Sequence, residues 1–291
     1  MGSYRKGRNI IMDWYKLAFP SADIFSKIKE FEERGAYNSH LDDCDPAGSL
    51  PVTANFPYVP GPWLRFVYWF RHVYFLNGFT KGLNTKVYHT RIEGREKLDL
   101  VEGAIITCNH YNIYDGLVAK WVFGKKPLKI MTADFNNRDG LLGKWMRASG
   151  IMPFSTKREV VASFTKAVAY HLKHGTSVLF FPEGSEWWCY EKPRPLMDGA
   201  FHYAVANNVP VVPMFVTFSL PSEQKKGSKE NSVVLKNKDG IEMRNFTVHI
   251  LDPIYPNPNL KKKDNVQMMK EKNAKVWKEI YEKIYKKKLS Y

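Results

Sequence analysis

The segment AIITCNHYNIYDG, residues 104–116, joins a short apolar run to a histidine, an aspartate and a glycine. The run AIITC has the length and composition of a buried strand, and Gly116 begins a helical pattern that extends to Phe123. His110 therefore follows the carboxyl end of a predicted strand, where open α/β sheets usually place their active sites. Asp115 lies at the start of the helix that comes next.

Strands and helices alternate on both sides of this segment. The predicted strands cover 86–92, 104–108, 128–133, 177–181 and 209–218, and the helical patterns cover 116–123, 140–148, 158–174 and 199–207. A further strand leads into Lys157, and a hairpin near Asp239-Gly240 precedes a last strand over 246–251. This alternation predicts an α/β fold with a mostly parallel central sheet flanked by helices.

Three regions are expected. Residues 1–82 form an N-terminal region with a helix near 23–34, a proline-punctuated linker and an amphipathic helix over 63–79. Residues 83–260 form the α/β domain, and residues 261–291 form a basic amphipathic helix with eleven Lys and four acidic residues. Each of the two terminal amphipathic helices either packs on the domain or lies on a membrane surface.

The formal net charge of +15 and the pI near 9.5 indicate an anionic partner. Nucleic acid is disfavoured because we recognise no binding module and no recurring basic-aromatic motif outside the tail. The densest apolar stretch, 63–79, is interrupted by Arg65, Arg71 and His72, so we expect it not to cross a membrane. A basic start without a long apolar run predicts no secretory signal, and three scattered cysteines indicate a reducing compartment.

His110 and Asp115 are suited to act as a general base and the group that orients it. A carboxylate at one ring nitrogen fixes the tautomer and raises the basicity of the other nitrogen. The chain has no G-x-S-x-G elbow, so we expect the attacking group to be a hydroxyl of the substrate. The alternatives are a structural histidine, a Cys108 nucleophile, and a metal site of His110, Asp115 and Glu183, which lacks a second histidine.

Two other strand ends carry polar residues. LFFPEGSEWW, residues 179–188, places Glu183 and Gly184 after an apolar strand. We expect the Glu183 carboxylate to accept hydrogen bonds from a polyol substrate, and the main-chain amides around Gly184 to face the oxyanion of an acyl intermediate. GIMPFSTKRE, residues 150–159, places Lys157 and Arg158 beside the candidate base, where two cations suit a phosphate. The simpler interpretations are an ordinary turn and a surface charge run.

In this order and spacing, these motifs resemble the glycerolipid acyltransferase family that includes 1-acylglycerol-3-phosphate acyltransferases. Asn109-His110 with Asp115 is similar to its first motif, residues 150–158 to its second, residues 181–184 to its third and residues 209–213 to its fourth. The resemblance covers about residues 87–218. It implies a glycerol-3-phosphate acyltransferase-like fold, a base at His110 oriented by Asp115, acceptor contacts at Arg158 and Glu183, and an N-terminal helix on the bilayer.

The chain departs from the family after the third motif. Where the family usually continues Thr-Arg-Ser, Ser185-Glu186-Trp187 puts an acid in place of an arginine. Downstream, Leu196-Met197-Asp198-Gly199 stands where the family often shows Phe-Lys-x-Gly, so two phosphate-favouring cations are missing. Lys192 and Arg194 from the EKPRP run are the candidates to replace them, and an acceptor other than lysophosphatidate, such as a zwitterionic lysolipid or a glycolipid, is the alternative. Trp187 and Trp188 either line the acceptor site or pack in the core.

The resulting prediction is a peripheral enzyme on the cytoplasmic face of the cell membrane. It transfers an acyl group from acyl-CoA or acyl carrier protein to a lysophospholipid, by default 1-acylglycerol-3-phosphate, without a metal or other resident cofactor. The expected partners are the phospholipid surface, the donor and the lysolipid, and the rival class is a non-catalytic basic lipid-binding protein. The predicted substrate-binding residues are Asn109, Lys157, Arg158, Glu183, Gly184, Ser185, Lys192 and Arg194.

Overall fold

The computed structural model describes Lys16 and residues 18–41, 48–223 and 234–291. Seven strands in these residues form one sheet: β1 (Arg91–Glu93), β2 (Ile105–Thr107), β3 (Leu128–Ala133), β4 (Ile151–Phe154), β5 (Ser177–Phe180), β6 (Val211–Ser219) and β7 (Asn245–Ile250). Their order is β1-β7-β6-β2-β5-β3-β4. Neighbouring strands are parallel except β6 and β7. The predicted mostly parallel α/β sheet is confirmed.

Helices cover both faces of this sheet. The α-helices of the described residues are α1 (Ile24–Glu33), α2 (Pro62–Arg71), α3 (Asn77–Gly82), α4 (Asp115–Phe123), α5 (Gly140–Ser149), α6 (Arg158–Lys173), α7 (Gly199–Asn207) and α8 (Lys262–Tyr285). Apolar side chains of α1, α3 and α4 share one core with the sheet, and those of α6, α7 and α8 share another. Burial of apolar side chains on both faces is the main source of stability for such a layered domain.

The predicted strand over 86–92 is largely wrong. The helical rod of α2 continues through a π-helical turn (His72–Leu76), α3 and a second π-helical turn (Leu83–Val87), and only Arg91–Glu93 forms a strand. Leu76, Phe79, Leu83 and Val87 are all buried. Their spacing of three to four residues places them on one side of a helix, whereas a strand would bury every second residue. The rod also runs across the expected boundary at residue 82.

Strands β2 and β5 end at the same level. Thr107, the last residue of β2, is in register with Phe180 at the end of β5 and with Pro213 in β6. Because these three strands are parallel neighbours, the segments that follow β2 and β5 emerge side by side at one edge of the sheet. That edge holds both His110 and Glu183.

The N-terminal residues pack closely on the domain. Ile24, Ile28, Tyr37 and Leu41 join the core on the α4 side of the sheet. The predicted linker has no helix or strand in its described part, residues 48–61, yet it is not loose. The buried Tyr58 donates a hydrogen bond from Oη to the carbonyl oxygen of Pro153 at 2.6 Å.

The C-terminal helix α8 is docked. Trp277 is 0% exposed and packs with Phe215 of β6 and with Tyr281. Asn273 is also buried, and its side-chain oxygen accepts a hydrogen bond from the Thr107 hydroxyl at 2.6 Å. The side of this amphipathic helix that carries Trp277 and Tyr281 therefore faces the domain, which favours the packed alternative for the tail.

Candidate active site

The segment after β2 brings His110 and Asp115 into contact. Asp115 is the first residue of α4, and its Oδ2 lies 2.5 Å from Nδ1 of His110. The carboxylate is buried, whereas a quarter of the His110 side chain is exposed, at 25%. Among the residues that the structure describes, none forms a hydrogen bond with Nε2 of His110, so the pair presents one ring nitrogen for a substrate.

The surroundings of His110 set its basicity. Its ring stacks on Phe181, with the two centroids 4.4 Å apart. Burial lowers the pKa of His110, but the charge of Asp115 and its hydrogen bond raise it by more, so the net shift is upward from the ordinary value of 6.5. An imidazole in this setting accepts a proton and is stabilised as an imidazolium, which is what a general base requires.

Cys108 lies in the core beside this pair. It is buried, and burial raises the pKa of its thiol well above the ordinary value. A nucleophilic cysteine needs the opposite shift and an accessible sulfur. The alternative of a Cys108 nucleophile is therefore wrong, and Cys108 is a small core residue.

Glu183 is close to His110 but faces the protein. Its Oε2 accepts hydrogen bonds from the main-chain N–H of His110 at 3.1 Å and from Nη2 of Arg194 at 2.9 Å. Its Oε1 accepts from the main-chain N–H of Arg194 at 2.8 Å. Since both oxygens are engaged and the side chain is buried, the prediction that Glu183 contacts the substrate is corrected: Glu183 holds the main chain at His110.

Arg194 and Ser185 are likewise inside the protein. Arg194 is 2% exposed, and its Nη1 donates to Oγ of Ser185 at 2.9 Å. Ser185 itself has no exposed surface. Neither side chain faces a substrate, so their predicted binding role is wrong. A buried arginine is instead needed here to neutralise the buried carboxylate of Glu183.

Asn109 and Lys192 are corrected in the same way. The side chain of Asn109 is buried and pairs with the main chain of Val216 in β6, donating from Nδ2 at 3.0 Å and accepting at Oδ1 at 2.8 Å. Lys192 forms an ion pair with Glu32 of α1. Asn109 thus fixes the start of the segment between β2 and α4, and Lys192 holds helix α1 through Glu32.

Gly184 lies on the accessible side of the same turn. Its φ of +85° is in the left-handed region that favours glycine. Its main-chain N–H donates to the carbonyl oxygen of Phe181 at 3.1 Å, so this amide is used within the turn rather than directed at an oxyanion. Gly184 stays a candidate for substrate contact by its exposed position alone.

Lys157 and Arg158 follow β4 and are exposed. They share the sheet edge with His110, but β5 and β3 lie between β2 and β4 in the sheet. At about 4.8 Å per strand, the two strand ends are roughly 14 Å apart. The prediction that these cations lie beside the base is therefore wrong, although they are within the length of a phospholipid.

Residues 18–41, which the sequence did not assign to the site, cover one side of it. The carbonyl oxygen of Ala18 accepts hydrogen bonds from Nδ2 of Asn112 and Nε1 of Trp188, both at 3.1 Å. The carbonyl oxygen of Ser39 accepts from Nε1 of Trp187 at 2.9 Å. Both tryptophans are buried, so they pack and anchor this segment. In the sequence, the signal for this packing is the pair of adjacent tryptophans that follows the Pro-Glu-Gly turn after two residues.

The segment that holds these residues is similar to a known protein family. Residues 89–217 match the acyltransferase family model. This part of the chain, less than half of its length, is similar to that family. The matched range contains His110, Asp115, Glu183 and Arg194, whereas residues 18–41 and helices α2, α3 and α8 lie outside it.

Two relatives can be described. An uncharacterized acyltransferase of Schizosaccharomyces pombe is 29% identical over 140 residues, which are 44% of this chain and 47% of that protein. The match thus spans about half the length of this curated relative. The crystal structure of the 1-acyl-sn-glycerophosphate acyltransferase PlsC from Thermotoga maritima gives a TM-score of 0.49 at 15% identity, covering 79% of this chain and 97% of that one.

An exposed apolar surface lies on α2 and the elements next to it. It consists of exposed side chains of the helical rod and of α5, and we call it the aromatic face: Trp63, Phe66, Trp69, Phe70, Tyr74, Phe75, Leu141 and Leu142. Arg65 is exposed on the same helix.

Within the residues that the structure describes, no helix has the length and apolar character needed to cross a bilayer. In the same residues, no group of three or more His, Cys, Asp or Glu side chains forms a candidate metal site.

Proposed function

We propose that this protein transfers a fatty acyl group from an acyl thioester to the hydroxyl of a lysophospholipid. The observation that carries the proposal is the 2.5 Å contact between Nδ1 of His110 and Asp115, with Nε2 left for the substrate. The acyltransferase family match over the same residues supports it. The donor is acyl-CoA or acyl carrier protein, and the default acceptor is 1-acylglycerol-3-phosphate.

The chemistry follows from the pair. Nε2 of His110 takes the proton of the acceptor hydroxyl as its oxygen attacks the thioester carbonyl, and Asp115 stabilises the imidazolium that forms. The tetrahedral intermediate collapses, the C–S bond breaks, and the thiolate takes the proton back from His110. An ester and a free thiol leave, so no covalent enzyme intermediate and no resident cofactor are needed.

A second acceptor class is supported by the charges around the site. Lys192 and Arg194 are engaged with Glu32 and Glu183, and Glu186 stands where the family usually has an arginine. Of the predicted cations, only Lys157 and Arg158 are exposed and without an ion pair among the described residues. A lysolipid without a terminal phosphate, including a zwitterionic lysolipid or a glycolipid, therefore belongs in the same assay.

We also propose that the enzyme is peripheral to the membrane, on its cytoplasmic face. The aromatic face supports this, because tryptophan and tyrosine side chains favour the headgroup region and Arg65 lies beside them. Large exposed apolar patches mark interaction surfaces on folded proteins.

The direct test is an acylation assay that crosses both donor types with a panel of lysolipids. His110→Ala should lower turnover by roughly 10²- to 10⁴-fold, the usual contribution of a general base. His202→Ala, at an exposed position on α7, is the matched control and should leave turnover unchanged. If folded His110→Ala acylates as well as the parent, His110 is not the base. If no pair reacts but vesicles still bind, the protein is a lipid-binding protein.

The pH dependence tests the role of Asp115. The base must be neutral, and the pKa of His110 is raised above 6.5. The acidic limb of kcat/KM should therefore lie above pH 6.5, with activity lost as the pH falls through it. Asp115→Asn removes the carboxylate and leaves burial to lower the pKa, so the limb should move to lower pH. An unmoved limb in a folded variant would exclude Asp115 as the partner that sets this pKa.

A further inference from the structure

Arg194 links three segments of the chain at one guanidinium group. It comes from the run after the Pro-Glu-Gly turn, outside the four motifs, and is 2% exposed. Its Nη2 donates to Oε2 of Glu183 at 2.9 Å and to the carbonyl oxygen of His110 at 3.3 Å. Its Nη1 donates to the carbonyl oxygen of Tyr37 at 2.9 Å. The planar fork of arginine is what allows one side chain to hold all three segments.

The contacts with His110 concern its main chain. The His110 N–H donates to Glu183, and the His110 carbonyl oxygen accepts from Arg194 and, at 3.0 Å, from the N–H of Trp187. The main-chain N–H and the carbonyl oxygen of His110 are therefore held in place by Glu183, Arg194 and Trp187. With Asp115 fixing the ring, this leaves the imidazole little freedom to shift.

The contacts with residues 18–41 attach the N-terminal segment to the same point. Besides the bond to Tyr37, the guanidinium lies 4.7 Å from the ring centroid of Trp187, whose Nε1 donates to Ser39. Tyr37 and Phe31 pack near that ring, with centroids 6.0 and 6.1 Å away. The segment that covers the site and the base inside it thus share one anchor.

We infer that Arg194 is a positioning residue, which fixes the main chain of His110 through Glu183 and fastens residues 18–41 over the site. This inference rests on the proposed function of His110. It contrasts with a phosphate contact, which would need an exposed guanidinium. A positioning role predicts that replacing Arg194 slows the chemical step without changing which acceptor headgroup is preferred.

The test compares Arg194→Lys with Arg244→Lys. The lysine variant keeps the charge but loses the fork, so kcat should fall on the order of 100-fold, the effect of displacing a catalytic group by about 1 Å. The KM for each acceptor and the ranking of headgroups should stay the same. Arg244 is the matched control, because it lies 5.9 Å from the ring of Trp188 and pairs with Glu191 without touching His110. Its substitution should leave kcat unchanged.

Amide hydrogen exchange gives a second readout that needs no turnover. Peptides covering 107–116 and 18–41 should exchange faster in Arg194→Lys than in the parent or in Arg244→Lys. An unchanged kcat, or a raised KM confined to phosphate-bearing acceptors, would overturn the inference. So would unchanged exchange in both peptides. If the parent shows no turnover, the exchange result still decides the anchoring role while the proposed function fails separately. If Arg194→Lys does not fold, Glu183→Gln tests the same link with little change in shape.

Discussion

Helices α2 and α8 are similar in sequence character and opposite in surroundings. Each combines basic residues with a row of aromatic and aliphatic side chains at helical spacing. Trp63 of α2 is 75% exposed, whereas Trp277 of α8 is 0% exposed. The same pattern therefore leaves apolar side chains exposed in α2 and buried in α8. An amphipathic sequence predicts that one side of a helix favours an apolar environment, but it does not show whether the protein itself provides that environment.

The partners of the two helices explain the difference. Helix α8 packs on β6 and α7, where Phe215 lies 5.5 Å from Trp277 between ring centroids. Helix α2 packs chiefly on α5, which in turn contacts the edge strand β4. Phe75 stacks on Trp145 at 6.4 Å, but the outer aromatic residues have no such partner element. In the proposed membrane-bound state, this second face contacts the bilayer.

The largest effect should come from removing the buried tryptophan of α8. Trp277→Ala leaves a cavity between the helix and the sheet, and such changes cost about 3–5 kcal/mol of unfolding free energy. Ile284→Ala, on the exposed side of the same helix, should cost about 0.5 kcal/mol or less. Chemical denaturation measures both. Equal, small losses would mean that α8 is not part of the core, and the contrast with α2 would disappear.

An intermediate effect should follow removal of two exposed tryptophans of α2. Trp63→Ser with Trp69→Ser should lower the affinity for vesicles containing anionic phospholipid by more than tenfold, since burying each indole is worth about 1.5–3 kcal/mol. Unfolding free energy should change little. Tyr255→Ser, which removes an exposed aromatic side chain far along the chain, should not alter vesicle binding. Vesicle sedimentation distinguishes these outcomes, and unchanged affinity of the double variant would remove the membrane role of α2.

The fold was predictable wherever local pattern and tertiary packing agree. The strands at 104–108, 128–133 and 177–181 were predicted within a residue of their observed ends, because buried parallel strands are short, continuous apolar runs. The prediction failed at 86–92, where Val87 and Tyr88 are buried by a helical turn rather than by strand alternation. Periodicity over so few residues does not separate the two.

The site was predictable for the pair and not for its support. His110 and Asp115 are five positions apart in the sequence and are joined by one turn, so their contact follows from local structure. Arg194 and Tyr37 are separated by 157 residues, and only the folded chain shows that a basic residue predicted to bind phosphate faces inward to a carboxylate. Burial of the side chain decides between binding a phosphate and pairing with a carboxylate, and the charge of the residue in the sequence does not reveal whether it is buried.

The smallest effect, and the sharpest comparison of the two helices, concerns their charges. Attraction to an anionic bilayer is worth about 1 kcal/mol for each Lys or Arg at the surface. Replacing Arg65 by Gln should therefore weaken vesicle binding several-fold at low salt. Lys275→Gln on the solvated side of α8 should weaken it by less than twofold. Helix α8 packs over β6, four strand positions from β4, or roughly 19 Å, and the Debye length at physiological salt is about 8 Å. If the two variants lose equal vesicle affinity at low and at physiological salt, both helices lie at the membrane. If Lys275→Gln loses less affinity than Arg65→Gln, the basic residues of α8 face solvent.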